Sequence, residues 1–190
     1  FVANEDAALA SIVEIATGEI LAELPVGGEP EGVTRSPNGA WVYITSEEEN
    51  RVSVIDTEAL EVITSFDVGA RPRSSNFSPD STRAYVTAEN GGTVSVVDTA
   101  DHTVIETIEL TGELIRPMEV RVSPDGSRLY VSTGRGRLIM AIDTATYEVV
   151  ASVEVGERPW GIDLTKDGRY LYTANGPSND VSVVDTETMP

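Results

Sequence analysis

Apolar and polar residues alternate in short runs along the whole chain. Val120 and Val122 alternate with Glu119 and Arg121, and Tyr-Val-Thr (85–87) or Tyr-Val-Ser (130–132) follows a run of this kind. Then come Val-Ser-Val-Ile-Asp (52–56) or Val-Ser-Val-Val-Asp (94–98), and a longer run such as 104–110 or 149–155. Val, Ile, Tyr and Thr at period two, bounded by Gly, Pro, Asp and Asn, predict β-strands.

The pattern repeats. Phe1, Tyr43, Tyr85, Tyr130 and Tyr172 fall in one column at intervals of 42, 42, 45 and 42 residues, a period that marks a repeat architecture. Glu14, Asp56, Asp98, Asp143 and Asp185 form a second column, and Pro30, Pro72, Pro117 and Pro159 a third. A fourth is made by the turns that start at Ser36, Ser78, Ser123 and Thr165. In Ser-Pro-Asp-Gly, proline presets φ at the second turn position and glycine takes the strained one, so the first two strands of each repeat form a hairpin. The Asp-Thr pair after the third strand is expected to accept backbone N–H groups of the next turn.

A unit of four antiparallel strands, apolar on both faces, can be covered only by another such unit. The sequence therefore predicts an all-β fold, a β-propeller of four-stranded antiparallel blades in a single domain, with units at about 1–29, 30–71, 72–116, 117–158 and 159–190. By the columns, the first unit holds strands two to four, three units are complete, and the last holds strands one to three, which gives 18 strands or about 4.5 blades. An open arc would bare an apolar face at each end and forgo on the order of 10 kcal/mol per face. The expectation is a segment of a larger ring, its open faces covered by further blades or by another copy of the chain.

Composition narrows the function classes. The chain is 40% hydrophobic and 24% charged, an ordinary globular balance. Its longest aliphatic run, Leu138–Ile142, is far short of the roughly 20 apolar residues of a membrane helix, so no membrane insertion is expected. The absence of cysteine excludes disulfides, thiolate metal sites and Cys nucleophiles. With 32 acids against 13 bases and a net charge of -19, nucleic acid is not expected as a partner. The excess carboxylate reads as a solubility or salt-adaptation signature.

Residues present in every repeat serve the blade, so a site is sought where the copies differ. The loop entering strand one and the loop between strands two and three share one rim of a propeller's central channel. On that rim fall Arg71, Arg73, Arg116, Arg135, Arg137 and Arg158, with Arg51, which is seven of the twelve arginines. In so acidic a chain this predicts a positive channel mouth for a small anionic ligand or a protein partner. The alternative is that charged residues before the loop proline simply belong to the repeat. Trp160 takes the position held by Glu31, Arg73 and Met118 in the other copies; there it stacks on a flat ligand or packs over the next blade.

The column Thr34, Asn76, Arg121 and Asp163 is polar on a strand expected to be buried, and predicts an Arg121–Asp163 ion pair between blades. His102 is the only histidine and falls in the turn between strands three and four. It is read as a solvated turn residue, which excludes a multi-histidine metal centre and disfavours a Ser-His-Asp triad. The Gly-Arg-Gly-Arg stretch at 134–137 lacks a third glycine, and no phosphate-binding loop is present. Glu47, Glu48 and Glu49 read as a solvated charge run.

At this point the residues carry a resemblance. The stretch 85–110, "YVTAENGGTVSVVDTADHTVIETIEL", resembles the YVTN-type β-propeller repeat, and the likeness extends over the whole chain. More narrowly, stretches 1–32, 156–164 and 163–185 resemble the β-propeller proteins associated with PQQ-dependent catabolism. The resemblance implies a seven-bladed, exported, periplasmic protein without an established catalytic role. The reading from sequence is thus a non-enzymatic binding or scaffolding module, possessing no cofactor and no catalytic residue, that holds a small anion or a protein of a quinoprotein dehydrogenase system at the arginine-rich mouth. Two alternatives stay open: a propeller enzyme (lactonase, lyase, or quinone or haem oxidoreductase) with its site on blades beyond this stretch, and a cell-surface structural repeat.

Overall fold

The computed structural model describes residues 1–189. Eighteen strands form five antiparallel sheets. The first comprises β1 (Val2–Asn4), β2 (Leu9–Val13) and β3 (Ile20–Pro25). The second holds β4 (Pro30–Arg35), β5 (Trp41–Ser46), β6 (Arg51–Asp56) and β7 (Glu61–Asp67), and the third β8 (Pro72–Phe77), β9 (Arg83–Ala88), β10 (Thr93–Asp98) and β11 (Thr103–Glu109). The fourth holds β12 (Val120–Val122), β13 (Arg128–Ser132), β14 (Leu138–Asp143) and β15 (Val149–Glu154); the fifth, β16 (Pro159–Leu164), β17 (Tyr170–Asn175) and β18 (Asp180–Asp185). Within each sheet the strands pair in sequence order, and β4, β8, β12 and β16 lie side by side as the innermost strands. This is the blade arrangement of a β-propeller.

Apolar residues on both faces of each sheet explain the stacking. Val52 and Val54 of the second sheet close against Ala84, Val86 and Val97 of the third. Val94 and Val96 on the opposite face of the third sheet close against Val120, Leu129 and Val131 of the fourth. Complete burial of each such side chain is worth about 1.5–3 kcal/mol, and a lone sheet could bury only one side. Four interfaces of this kind, each with its own apolar cluster, join the five sheets.

The turn after the third strand has a second task. Asp56 Oδ1 accepts the N–H groups of Glu58 and Ala59 at 2.8 Å, and Asp143 Oδ1 those of Ala145 and Thr146 at 2.9 and 3.2 Å. The threonine differs from the sequence expectation, because it donates. Thr57, Thr99, Thr144 and Thr186 give their hydroxyl protons to the carbonyls of Gly39, Ser81, Gly126 and Gly168 in the hairpin turn of the same blade, at 2.5–2.8 Å.

The residue that closes this turn adopts a left-handed backbone, with φ of 56° at Leu60, 57° at His102 and 60° at Tyr147. Its side chain swings onto the preceding blade. His102 therefore departs from the sequence reading: it sits in the predicted turn but is only 7% exposed. Its Nδ1 shares a 2.7 Å hydrogen bond with the hydroxyl of Tyr43, and its ring meets Trp41 edge-on at 5.1 Å. Leu60, Tyr147 and Met189 fill the same place between other blades.

Candidate functional site

The innermost strands bring the residues around the loop prolines to one mouth of the channel. Two columns matter, the residue after each proline (Glu31, Arg73, Met118, Trp160) and the one after that (Gly32, Ser74, Glu119, Gly161). Both are held by a hydroxyl on strand two. Thr45, Thr87 and Ser132 accept the N–H of Gly32, Ser74 and Glu119 in their own blade at 2.8, 3.2 and 3.0 Å. The same hydroxyls donate to the carbonyls of Arg73, Met118 and Trp160 in the next blade at 3.4, 2.6 and 3.2 Å. The Thr or Ser of the repeated Tyr-Val-Thr motif is thus a clamp between blades. At Gly32 the approach is so close that a Cβ would stand 2.6 Å from the Arg73 carbonyl oxygen.

Thr87 is fully buried, so Thr87→Val keeps the shape and orphans both the Ser74 N–H and the Met118 carbonyl. The expected destabilisation is about 1–3 kcal/mol, read by chemical denaturation. A change below a few tenths of a kcal/mol would contradict the clamp.

Four different side chains from the first column meet in one pocket of about 150 Å3, which Ser74 and Glu119 also line. Glu31, Arg73, Ser74 and Glu119 also border an open groove of about 560 Å3 that runs along the inner strands past Arg35, Asn76 and Arg121. The predicted ion pair is present there: Arg121 Nε lies 3.3 Å from Asp163 Oδ1, and the same guanidinium pairs with Glu119.

The arginines predicted at the rim do not form one uniform cationic ring. Arg71 Nε lies 2.6 Å from Glu47 Oε2 and 3.4 Å from Glu89 Oε2. Arg73 bonds Glu47, and its Nη2 is 2.7 Å from Glu31 Oε1. Arg116 reaches the Glu89 carbonyl at 3.5 Å. Arg135 is exposed on a short 3-10 turn, Gly134–Gly136, and Arg137 pairs with Glu154 at 3.2 Å. Arg158 lies 5.1 Å from the centre of the Trp160 ring, and Arg51 pairs with Asp67 at 2.9 Å away from the pocket. Arg71 and Arg158, each preceding a loop proline, hold left-handed φ values of 59° and 49°, a backbone that non-glycine residues seldom adopt.

Electrostatics splits the carboxyl groups into two kinds. Partial burial, with the side chain still 44% exposed, and then the contact with Glu47 push the Glu31 carboxyl up to about 8 against the pull of Arg73. Burial also pushes Glu47 up, but the bond from Glu31 and the Arg73 and Arg71 guanidiniums outweigh it and hold Glu47 below its ordinary value. Of the two, Glu31 is the one that holds a proton more readily. Across the pocket, Ser74 Oγ donates to Glu119 Oε1 at 2.6 Å and Arg121 bonds the same oxygen. The pocket thus presents two carboxyl groups in unlike settings, a guanidinium and a hydroxyl, a set that suits acid–base chemistry on a carbonyl compound. Among the described residues no three His, Cys, Asp or Glu side chains converge as metal ligands.

Glu31, Ser74 and Glu119 were not singled out by the sequence reading. In a chain with 32 acids a single glutamate carries no signal. Their signal lay in the two columns beside the proline, the only place where equivalent positions of the repeat carry an acid, a base, a thioether and an indole.

Comparison with known proteins bears on what this mouth does. No curated protein matches the chain. Among solved structures, a protein assigned as a 6-phosphogluconolactonase from Bacteroides uniformis is similar at a TM-score of 0.78 and 20% identity, covering 92% of this chain and 59% of that one. The chain thus spans about 59% of that protein's length. Hydrazine synthase from Kuenenia stuttgartiensis is similar at a TM-score of 0.56 and 17% identity, over 96% and 90% of the two chains. At these identities the likeness is one of fold. The family model described as "Lactonase, 7-bladed beta-propeller" matches residues 58–189. That match overturns the expectation of a non-enzymatic module and points to a hydrolase. By that match, spanning most of its length, the chain belongs to the seven-bladed β-propeller lactonase family.

Proposed function

We propose that the protein opens the ring of a small lactone at the channel mouth by general acid–base hydrolysis. The observation that carries this reading is the meeting, around one pocket, of two carboxyl groups in different settings: Glu31, pushed up by partial burial and by Glu47, and Glu119, held through Oε1 by Ser74 and Arg121. Family membership and the fold likeness to a protein assigned as a 6-phosphogluconolactonase support it and make a six-membered sugar lactone the first substrate to test.

The lactone carbonyl lies towards Arg73, whose guanidinium stabilises the developing oxyanion. Glu119 Oε2 takes a proton from water as the water oxygen bonds to the carbonyl carbon. The tetrahedral intermediate collapses with cleavage of the ring C–O bond, and Glu31 gives its proton to the departing alkoxide. The product is an open hydroxy acid. Glu119 then returns its proton to solvent and Glu31 regains one, which restores the starting state. An accessory binding role in a PQQ-dependent system draws on the resemblance of the repeat alone, whereas the acid–base pair favours chemistry.

The test is a pH-stat assay of D-glucono-1,5-lactone and its 6-phosphate. Because Glu31 acts in its protonated form, kcat/KM is expected to fall above a pH of about 8. In Glu31→Gln that limb should vanish and the rate should drop about 100-fold. Hydrolysis by the variant at the wild-type rate, with the limb unchanged, would refute the assignment.

A further inference from the structure

The residue after the loop proline is Glu31, Arg73, Met118 and Trp160 in successive blades, and the four side chains line a single pocket. Glu31 and Arg73 form the polar half, joined at 2.7 Å. Met118 and Trp160 form the apolar half. Trp160 is 51% exposed, which leaves about half of a large flat side chain uncovered, as are Tyr172 and Val181 of the same sheet. The indole is nonetheless held in place. Its backbone carbonyl accepts the Ser132 hydroxyl at 3.2 Å, and the Arg158 guanidinium stands 5.1 Å from its ring centre. A guanidinium against an aromatic face restrains the ring.

We propose that Trp160, backed by Arg158 and flanked by Met118, is a stacking platform that selects lactones presenting a flat C–H ring face and sets that face against the Glu31–Arg73 half of the pocket. The proposal rests on the lactone-opening reading. It adds the residue that determines specificity, and the kind of substrate it favours: compact rings in preference to lactones whose ring is shielded by a bulky or long acyl substituent. Trp160 is a positioning residue in this scheme. It binds the ring and moves no proton.

The test is calorimetric titration of the whole chain with a six-membered polyhydroxylated lactam, in which ring N–H replaces the ring oxygen and hydrolysis is slow, alongside thermal unfolding. The lactam is expected to bind wild type. Trp160→Leu should bind it about tenfold or more weakly, and Trp160→Phe should restore affinity to within about threefold. Unfolding temperatures of both variants should stay near wild type. Equal affinity in Trp160→Leu, no lactam binding by wild type, or a loss in Trp160→Leu confined to stability would each overturn the platform. Tight lactam binding that depends on Trp160, in a protein that turns over no lactone, would uphold the platform and sink the hydrolase reading.

Discussion

Glu119→Gln is expected to lower kcat for lactone opening by about 10^2- to 10^4-fold, the range that a positioned general base supplies. Its Oε1 is occupied by the Ser74 hydroxyl and the Arg121 guanidinium, so the amide can keep the geometry while losing the oxygen that accepts a proton. KM should change little, because the side chain is asked to act on water and not to bind the ring. The Glu119 side chain is about a quarter exposed, and the variant should unfold near the wild-type temperature. Unchanged kcat with normal folding would remove Glu119 from the mechanism.

The second large effect concerns stability. His102→Ala should destabilise the fold by about 2–4 kcal/mol, measured by urea unfolding. It opens a cavity between the second and third sheets and leaves the fully buried Tyr43 without the partner of its hydroxyl. His102→Leu, which imports the residue found in the same column at Leu60, should restore the volume and leave only the orphaned hydroxyl. Combining it with Tyr43→Phe should recover most of the loss, because both polar partners are then removed together. Burial holds His102 below its ordinary value of 6.5. The unfolded chain therefore binds the proton more readily, so this contribution is complete above pH 6.5 and is lost as the pH falls below it. Both His102 variants should flatten that acid limb.

The fold was legible because a propeller writes its geometry as columns. Tyr43, Tyr85, Tyr130 and Tyr172, the loop prolines and the Asp-Thr turns each do one task per blade, so their spacing alone placed all 18 strands. Inter-blade contacts were less legible because they join residues about one repeat apart that look ordinary in isolation. Thr87 reads as a polar strand residue until its hydroxyl is seen to span Ser74 and Met118. His102 reads as solvated because turns usually are, whereas a left-handed φ turns its ring inward.

The site was visible in part. Trp160 and Arg73 stood out as departures from their column. The arginines drew attention by scarcity in an acidic chain, but scarcity does not reveal their partners: Glu47 and Glu89 compensate Arg71 and Arg73. The upward shift of the Glu31 carboxyl follows from partial burial beside Glu47, a relation between two blade-rim side chains that no local pattern encodes.

The proton on Glu31 is the feature on which the chemistry depends, and it can be observed directly. With carboxyl-13C glutamate incorporated, NMR titration should show one side-chain carboxyl with a midpoint near 8, absent from Glu31→Gln. If instead every glutamate carboxyl titrates near or below the ordinary value of 4.5, the pocket holds no acid at neutral pH and the proposed ring opening is wrong.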